Sequence, residues 1–177
     1  MQESSKETTT VIDVRIDDLA FYAGEAIVRP VNADLGATTP LLRRLELAAG
    51  DALQKQLRVN EPLPVGAAVV TGAGALGASL MVHAVIASRD EPVSRETVRR
   101  AMTSALQRVE SWQIRSIGVA PFGLGAGNLE IDESADVMLR VLSTHLAHAR
   151  FPESVTIVAE NEDEARSFSS AIERSRA

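Results

Sequence analysis

Cysteine is absent from the 177 residues, which excludes disulfides and cysteine-held zinc. Aromatic residues make up only 3% of the chain, so a core has to be filled by Val, Ile, Leu and Ala. Histidine occurs at His83, His145 and His148 alone, too few and too scattered for a metal site. Positive charge is in deficit: 18 Lys and Arg against 24 Asp and Glu give a net charge of −6, which argues against direct nucleic-acid binding. No apolar run is long enough to cross a bilayer. The opening residues, Met1 to Thr10, contain no hydrophobic signal segment. These absences lead to the expectation of a cytoplasmic protein with no membrane contact, no metal and no cofactor.

What is present is an ordinary globular mixture, 45% hydrophobic and 24% charged. Its length suits one domain. Met1 to Thr10 reads as a polar, disordered tail and residues 11–177 as a single unit without repeats or linkers. Strands are predicted at Val11 to Ile16, from Glu25 to Val28 with a stop near Pro30, at Val65 to Thr71, Leu80 to Ala87, Ile114 to Ala120 and Val155 to Ala159. A helix is predicted from Thr38 to Leu57, with Thr39 as cap, Pro40 in the first turn and Leu41, Leu45, Ala48 and Ala49 on one face. Ser94 opens the next helix, whose apolar face runs Val98, Ala101, Met102, Ala105, Leu106 and Val109. Two more follow, from Ile131 to Ala149 and from Asp163 to Arg174. Strands separated by helices imply an α/β fold of three layers, with a mixed, largely parallel sheet of about six strands.

The most informative segment is Ile114-Arg-Ser-Ile-Gly-Val-Ala-Pro-Phe-Gly-Leu-Gly-Ala-Gly-Asn128. It runs from an apolar strand into a turn where Gly123, Gly125 and Gly127 alternate. Glycine permits positive φ and lets a ligand approach the main-chain amides. A turn leading toward a helix N-terminus is a favourable place for an anion. The P-loop pattern needs a Gly-Lys-Ser/Thr end that is missing here, and a dinucleotide fingerprint belongs on the first strand. A tight, ligand-free strand-to-helix turn is the plainer alternative.

Several segments, in order, resemble the macrodomain family, whose members bind ADP-ribose and whose active members hydrolyse its derivatives. Ile16-Asp-Asp18-Leu-Ala followed by Glu25-Ala-Ile-Val28 is similar to the family's opening Gly-Asp-Ile-Thr and Asp-Ala-Ile-Val-Asn-Ala-Ala-Asn. Ala48-Ala-Gly50 matches the end of its first helix. Pro64 to Thr71 with Met81-Val-His83-Ala-Val resembles its central strand pair, and Ser116 to Gly127 its diphosphate loop. The resemblance covers roughly residues 11 to 170. It implies adenine contacts from Asp18 and Leu19, a ribose contact from Asn32, and a diphosphate site at Gly123, Leu124, Gly125, Ala126, Gly127 and Asn128.

The departures from the family pattern are equally specific. Arg29 replaces the first Asn of the second motif, which hydrolytic members use with the distal ribose. Ala37-Thr-Thr-Pro40 replaces a run of glycines, Leu42 an aspartate, and Glu160 the aromatic that often stacks on adenine. Arg29 can pair with a phosphate, point to solvent or pair with Asp34. His83 reads as a satisfied core histidine, His145 and His148 as a solvated helix face, and Trp112 as packing. Nothing supports Ser/His/Asp catalysis or paired carboxylates. The expectation is a module that binds ADP-ribose or a related adenine diphosphate, free or carried on a modified protein, with little hydrolase activity. The rivals are an ADP-ribosyl hydrolase or deacylase and a ligand-free scaffold.

Overall fold

The computed structural model describes residues 9–125 and 128–177. Most of the expected tail therefore lies outside the described residues, as do Ala126 and Gly127 of the glycine loop. Six strands form one sheet: β1 (Val11–Ile16), β2 (Ala26–Asn32), β3 (Ala68–Gly72), β4 (Leu80–Ala87), β5 (Ser116–Val119) and β6 (Ser154–Ala159). Their order is β1-β6-β5-β2-β4-β3. All neighbours are parallel except the edge pair β3 and β4, which form a hairpin. The helices are α1 (Pro40–Ala49), α2 (Asp51–Gln56), α3 (Arg95–Ser111), α4 (Ile131–Leu146) and α5 (Glu162–Arg176).

Strand alternation divides the core into two layers. Ala26 and Val28 face α3, α4 and α5 through Val98, Met102, Met138 and Phe168. Ile27 and Val31 face α1 and α2 through Leu42, Leu45 and Leu53. This is the three-layer α/β/α arrangement with a mixed, mostly parallel sheet that the element pattern predicts.

The helix starts follow their caps. Thr39 Oγ1 accepts from Leu42 N, with Pro40 in the first turn. Ser94 and Thr97 exchange reciprocal hydrogen bonds at the head of α3. All six predicted core residues of α3 are buried.

Four expectations need correction. The helix predicted over Thr38 to Leu57 is two helices, because Gly50 takes φ +83° and breaks it. The buried face of α1 is Leu42, Leu45, Glu46 and Ala49, whereas Leu41 is half-buried and Ala48 exposed. β2 does not stop near Pro30 but continues to Asn32. Proline lacks an N–H, and it is tolerated here because β5 pairs with β2 only at residues 26–28, leaving one side of the later part free of that ladder. Trp112 does not pack: it caps α3 with 55% of its surface exposed.

Candidate functional site

β2 and β5 are adjacent and parallel, yet their exits diverge. The chain leaving β2 turns to α1 on one face, and the chain leaving β5 turns to α4 on the other. Such a divergence opens a crevice beyond the carboxyl ends of the strands, the usual ligand position in open α/β sheets. Two loops lie at this end, residues 33–39 and, among the described residues, 120–125 with 128–130.

The second loop is anchored at its root. Ala120 N donates to Val28 O at 3.1 Å, and Ser134 Oγ on α4 donates to Phe122 O at 2.5 Å. Gly123 (φ +81°) is buried, and a Cβ there would lie 2.9 Å from Val98 Cγ2, so packing requires a glycine. Gly125 (φ +134°) is exposed, and its conformation requires one. The Gly123 and Gly125 carbonyls accept from Leu129 N and Asn128 N. Among the described residues, no protein group accepts from the N–H groups of Gly123, Leu124 and Gly125. Leu124 is half-exposed and Asn128 exposed at the rim.

The chain from Asn128 leads to the N-terminus of α4, at the residue where the sequence predicts a helix start. α4 begins at Ile131, and Glu133 accepts from Glu130 N at 3.1 Å. Glu130, Asp132 and Glu133 already supply negative charge to that dipole. An anion held here would depend on the loop amides.

The first loop is firmly tied. Asn32 N donates to Gly36 O, Leu35 N to Asn32 O, and Val31 bridges to Ala37. Asn32 is half-buried and uses both main-chain groups in this loop. The Thr38 carbonyl comes within 4.0 Å of where a Cβ on Gly125 would sit, so the two loops meet. Leu42, at the family's aspartate position, is buried in the core.

Arg29 neither reaches solvent nor pairs with Asp34. It is fully buried, because its place on β2 between Ile27 and Val31 points it beneath α1. Its Nη1 donates to Glu46 at 2.5 Å, Nε to His83 Nδ1 at 2.9 Å, and Nη2 to Leu35 O at 3.2 Å. The Arg29 pKa is lowered by burial, against which Glu46 acts to keep the charged form. His83 is a satisfied core histidine: Nδ1 accepts from Arg29, and Nε2 is 2.8 Å from Thr71 Oγ1. Burial, then the Arg29 charge, hold its pKa well below the usual value. Glu46 was missed in the sequence, although a carboxylate midway along the Leu42, Leu45, Ala49 stripe is the signal for it.

Asp18 follows β1 and caps a short 3-10 turn, Leu19–Phe21, its Oδ1 accepting from Ala20 N at 2.9 Å. It is exposed, whereas Leu19 is 2% exposed and its side chain is taken up by packing in the α1 layer. Asp18, Arg15, Phe21, Tyr22 and Thr156 line a concavity of about 320 Å³. Phe21 is 76% exposed at its edge. Tyr22, also unforeseen, lies over β5, and burial raises its pKa against a hydrogen bond with Ser116. Glu160 is exposed and offers no ring. β1, β6 and β5 are consecutive neighbours, so β1 and β5 lie about 10 Å apart across the sheet at roughly 4.8 Å per strand.

A larger groove of about 1180 Å³ lies elsewhere, between α3 and α4. Its cations are largely engaged: Arg95 and Arg140 both pair with Asp136, Arg99 with Glu96, and Arg108 Nε donates to Ala68 O. His145 lines it, half-buried and bonded to Phe151 O, and His148 is exposed. No group of three potential ligands for a metal occurs among the described residues. No helix among them is long and apolar enough to cross a membrane.

Residues 28–138 match the family model described as Macro domain. An O-acetyl-ADP-ribose deacetylase of Salmonella gallinarum is 28% identical, the match covering 90% of this chain and 93% of that protein. An uncharacterized protein of Mycobacterium tuberculosis is 25% identical over 92% of this chain. That match takes in only 45% of the mycobacterial protein, so the chain spans about half the length of this relative. Among solved structures, the Oceanobacillus iheyensis macrodomain with ADP has a TM-score of 0.82 at 20% identity, covering 92% of this chain and 90% of that one. The Trypanosoma brucei macrodomain in complex with ADP has a TM-score of 0.81 at 18% identity, covering 92% and 69%. Since the family model spans more than half of the chain, and these structures share its fold, the chain belongs to the macro domain family.

Proposed function

We propose that the crevice between the two loops binds ADP-ribose or a closely related adenine diphosphate, with little or no hydrolysis. The carrying observation is the run of main-chain N–H groups at Gly123, Leu124 and Gly125 with no protein acceptor among the described residues. Buried or cleft-lining N–H groups seek a partner, and successive ones around positive-φ residues form an anion-binding concavity. The diphosphate takes these amides, and the proposed contact extends to Ala126, Gly127 and Asn128. Adenine lies toward Asp18, whose second carboxylate oxygen accepts from the exocyclic amino group. The spacing of β1 and β5 suits an extended nucleotide laid from Asp18 to Gly125. Asn32 contacts ribose from the first loop. The printed names of relatives and neighbours, a deacetylase of O-acetyl-ADP-ribose and macrodomains bound to ADP, support this ligand class.

Catalysis is disfavoured by the residues present. Arg29 is locked beneath α1 and Leu42 is buried, so neither supplies a group that positions water. The physiological ligand is ADP-ribose, free or attached to protein, met in the cytoplasm, and the net charge of −6 disfavours a nucleic-acid backbone as partner. Calorimetry with ADP-ribose, ADP and AMP tests the reading. Binding of both diphosphates and much weaker binding of AMP is expected. No heat with either diphosphate would refute it, and release of ADP-ribose from a modified protein at enzymatic rates would overturn the non-catalytic part.

A further inference from the structure

Leu35 has φ +65°. A bulky residue in the left-handed region is a genuine outlier, and it persists only where its surroundings over-determine it. Three constraints meet at this residue. Its side chain is buried in the α1 layer, its N–H donates to Asn32 O, and its carbonyl accepts from Arg29 Nη2. Arg29 is in turn fixed by two other elements, through Glu46 on α1 and His83 on β4. One guanidinium therefore ties β2, β4, α1 and the first loop together. Immediately beyond Leu35, Gly36 accepts from Asn32 N and Ala37 bridges Val31, which brings Thr38 against the second loop at Gly125.

We infer that Arg29 is a positioning residue: through its buried pair with Glu46 it clamps Leu35 and so fixes residues 36–39 against the anion loop. The first loop is then preformed. A buried ion pair is weak evidence for stability, since well-packed apolar groups of similar volume often serve as well. The five N–H donors of arginine, set in a rigid fork, are what allow one side chain to serve Glu46, His83 and Leu35 at once, and a lysine cannot replace them. The inference rests on the binding reading for its ligand consequence, but not for its effect on the loop.

The test replaces both partners, Arg29→Met with Glu46→Met, so that neither charge is left buried alone. Hydrogen exchange is followed at residues 36–39, with the β2, β4 and β5 amides as internal reference, and ADP-ribose affinity is measured in parallel. Exchange at 36–39 should rise about tenfold with the strand amides unchanged, and affinity should fall about tenfold. If the double variant does not fold, Arg29→Lys keeps a cation for Glu46 while giving up the fork, and the same exchange is read. Unchanged exchange at 36–39 in the folded variant would overturn the inference. If the unaltered protein binds no diphosphate, the binding proposal fails by itself, and the exchange comparison still decides the clamp.

Discussion

The ring of Tyr22 lies against Gly118 so closely that a Cβ on that glycine would sit 2.5 Å from Tyr22 Cγ. Gly24 is as close to the other end, its Cβ position falling 2.2 Å from the Tyr22 hydroxyl. Two glycines thus make a slot that holds the segment between Asp18 and β2 onto the sheet. Gly118 lies inside β5, paired to both neighbours, so the backbone cannot retreat. Gly118→Ala should therefore displace Tyr22, destabilise the fold by about 1–3 kcal/mol as overpacked cores do, and weaken adenine-nucleotide binding. Urea denaturation and calorimetry of this variant check it, and a variant as stable and as tight-binding as the parent would show that the slot is not needed.

His83 makes stability depend on pH in a defined direction. The folded chain keeps it neutral, because burial and the Arg29 charge depress its pKa well below 6.5. Around it stand Arg29 on β2, Glu46 on α1 bonded to that arginine, and Thr71 on β3. The unfolded chain protonates near pH ~6.5. Below that pH the unfolded state binds a proton that the folded state does not, so stability falls as pH falls, by at most about 1.4 kcal/mol per pH unit. Above about pH 7 the contribution is flat. His83→Gln should lose this slope between pH 7 and 5 in urea midpoints. Glu164, whose pKa burial raises, acts the opposite way, and because parent and variant both carry it, its contribution cancels in the comparison. Parallel profiles for parent and variant would be the contrary result.

Much of the fold was legible because each element carries its own signal. The α3 face and its Ser94 cap can be read directly from spacing, and the apolar run of β5 indicates a strand inside the sheet. Backbone angles are less visible: the apolar periodicity passes through Gly50 to Leu53 and Leu57, so nothing in it reveals a break. Long-range pairing is hidden too. Arg29 meets Glu46 only after β2 and α1 have been laid face to face, and Asp34 is merely nearer in sequence. Of the candidate site, the glycine loop, Asp18 and Asn32 could be named from the resemblance. Tyr22 and its two glycines had no motif to announce them.

Asp18 offers a test of the base-binding end. Its Oδ1 caps Ala20 N, and the other oxygen is left for a ligand. Asp18→Asn keeps an oxygen for the cap but turns the remaining acceptor into a donor facing the adenine amino group. Losing a hydrogen bond to a charged group is worth about 1.5–3 kcal/mol, so affinity for ADP-ribose should fall roughly 10- to 100-fold with the thermal midpoint little changed. Equal affinity in titration calorimetry would move the base elsewhere.

Gly125 tests the anion loop itself, and Gly50 supplies its control. Both have positive φ, +134° and +83°, so a side chain at either strains the backbone. At Gly50 a Cβ would meet nothing within 4 Å, and the position lies between α1 and α2, outside the two loops. At Gly125 it would stand 3.2 Å from Asn128 Nδ2, in the gap that the first loop approaches through Thr38. Each substitution should cost about 1–3 kcal/mol of backbone strain, which a domain of ordinary stability survives. Gly125→Glu adds a negative charge where the diphosphate is placed and should abolish binding, while Gly125→Ala weakens it less. Gly50→Ala should bind as the parent does despite a similar loss of stability. If Gly125→Glu also binds like the parent, the free amides are not where the diphosphate rests. If Gly50→Ala loses binding as fully as Gly125→Glu, the effect is one of general stability and the loop has no special part in it.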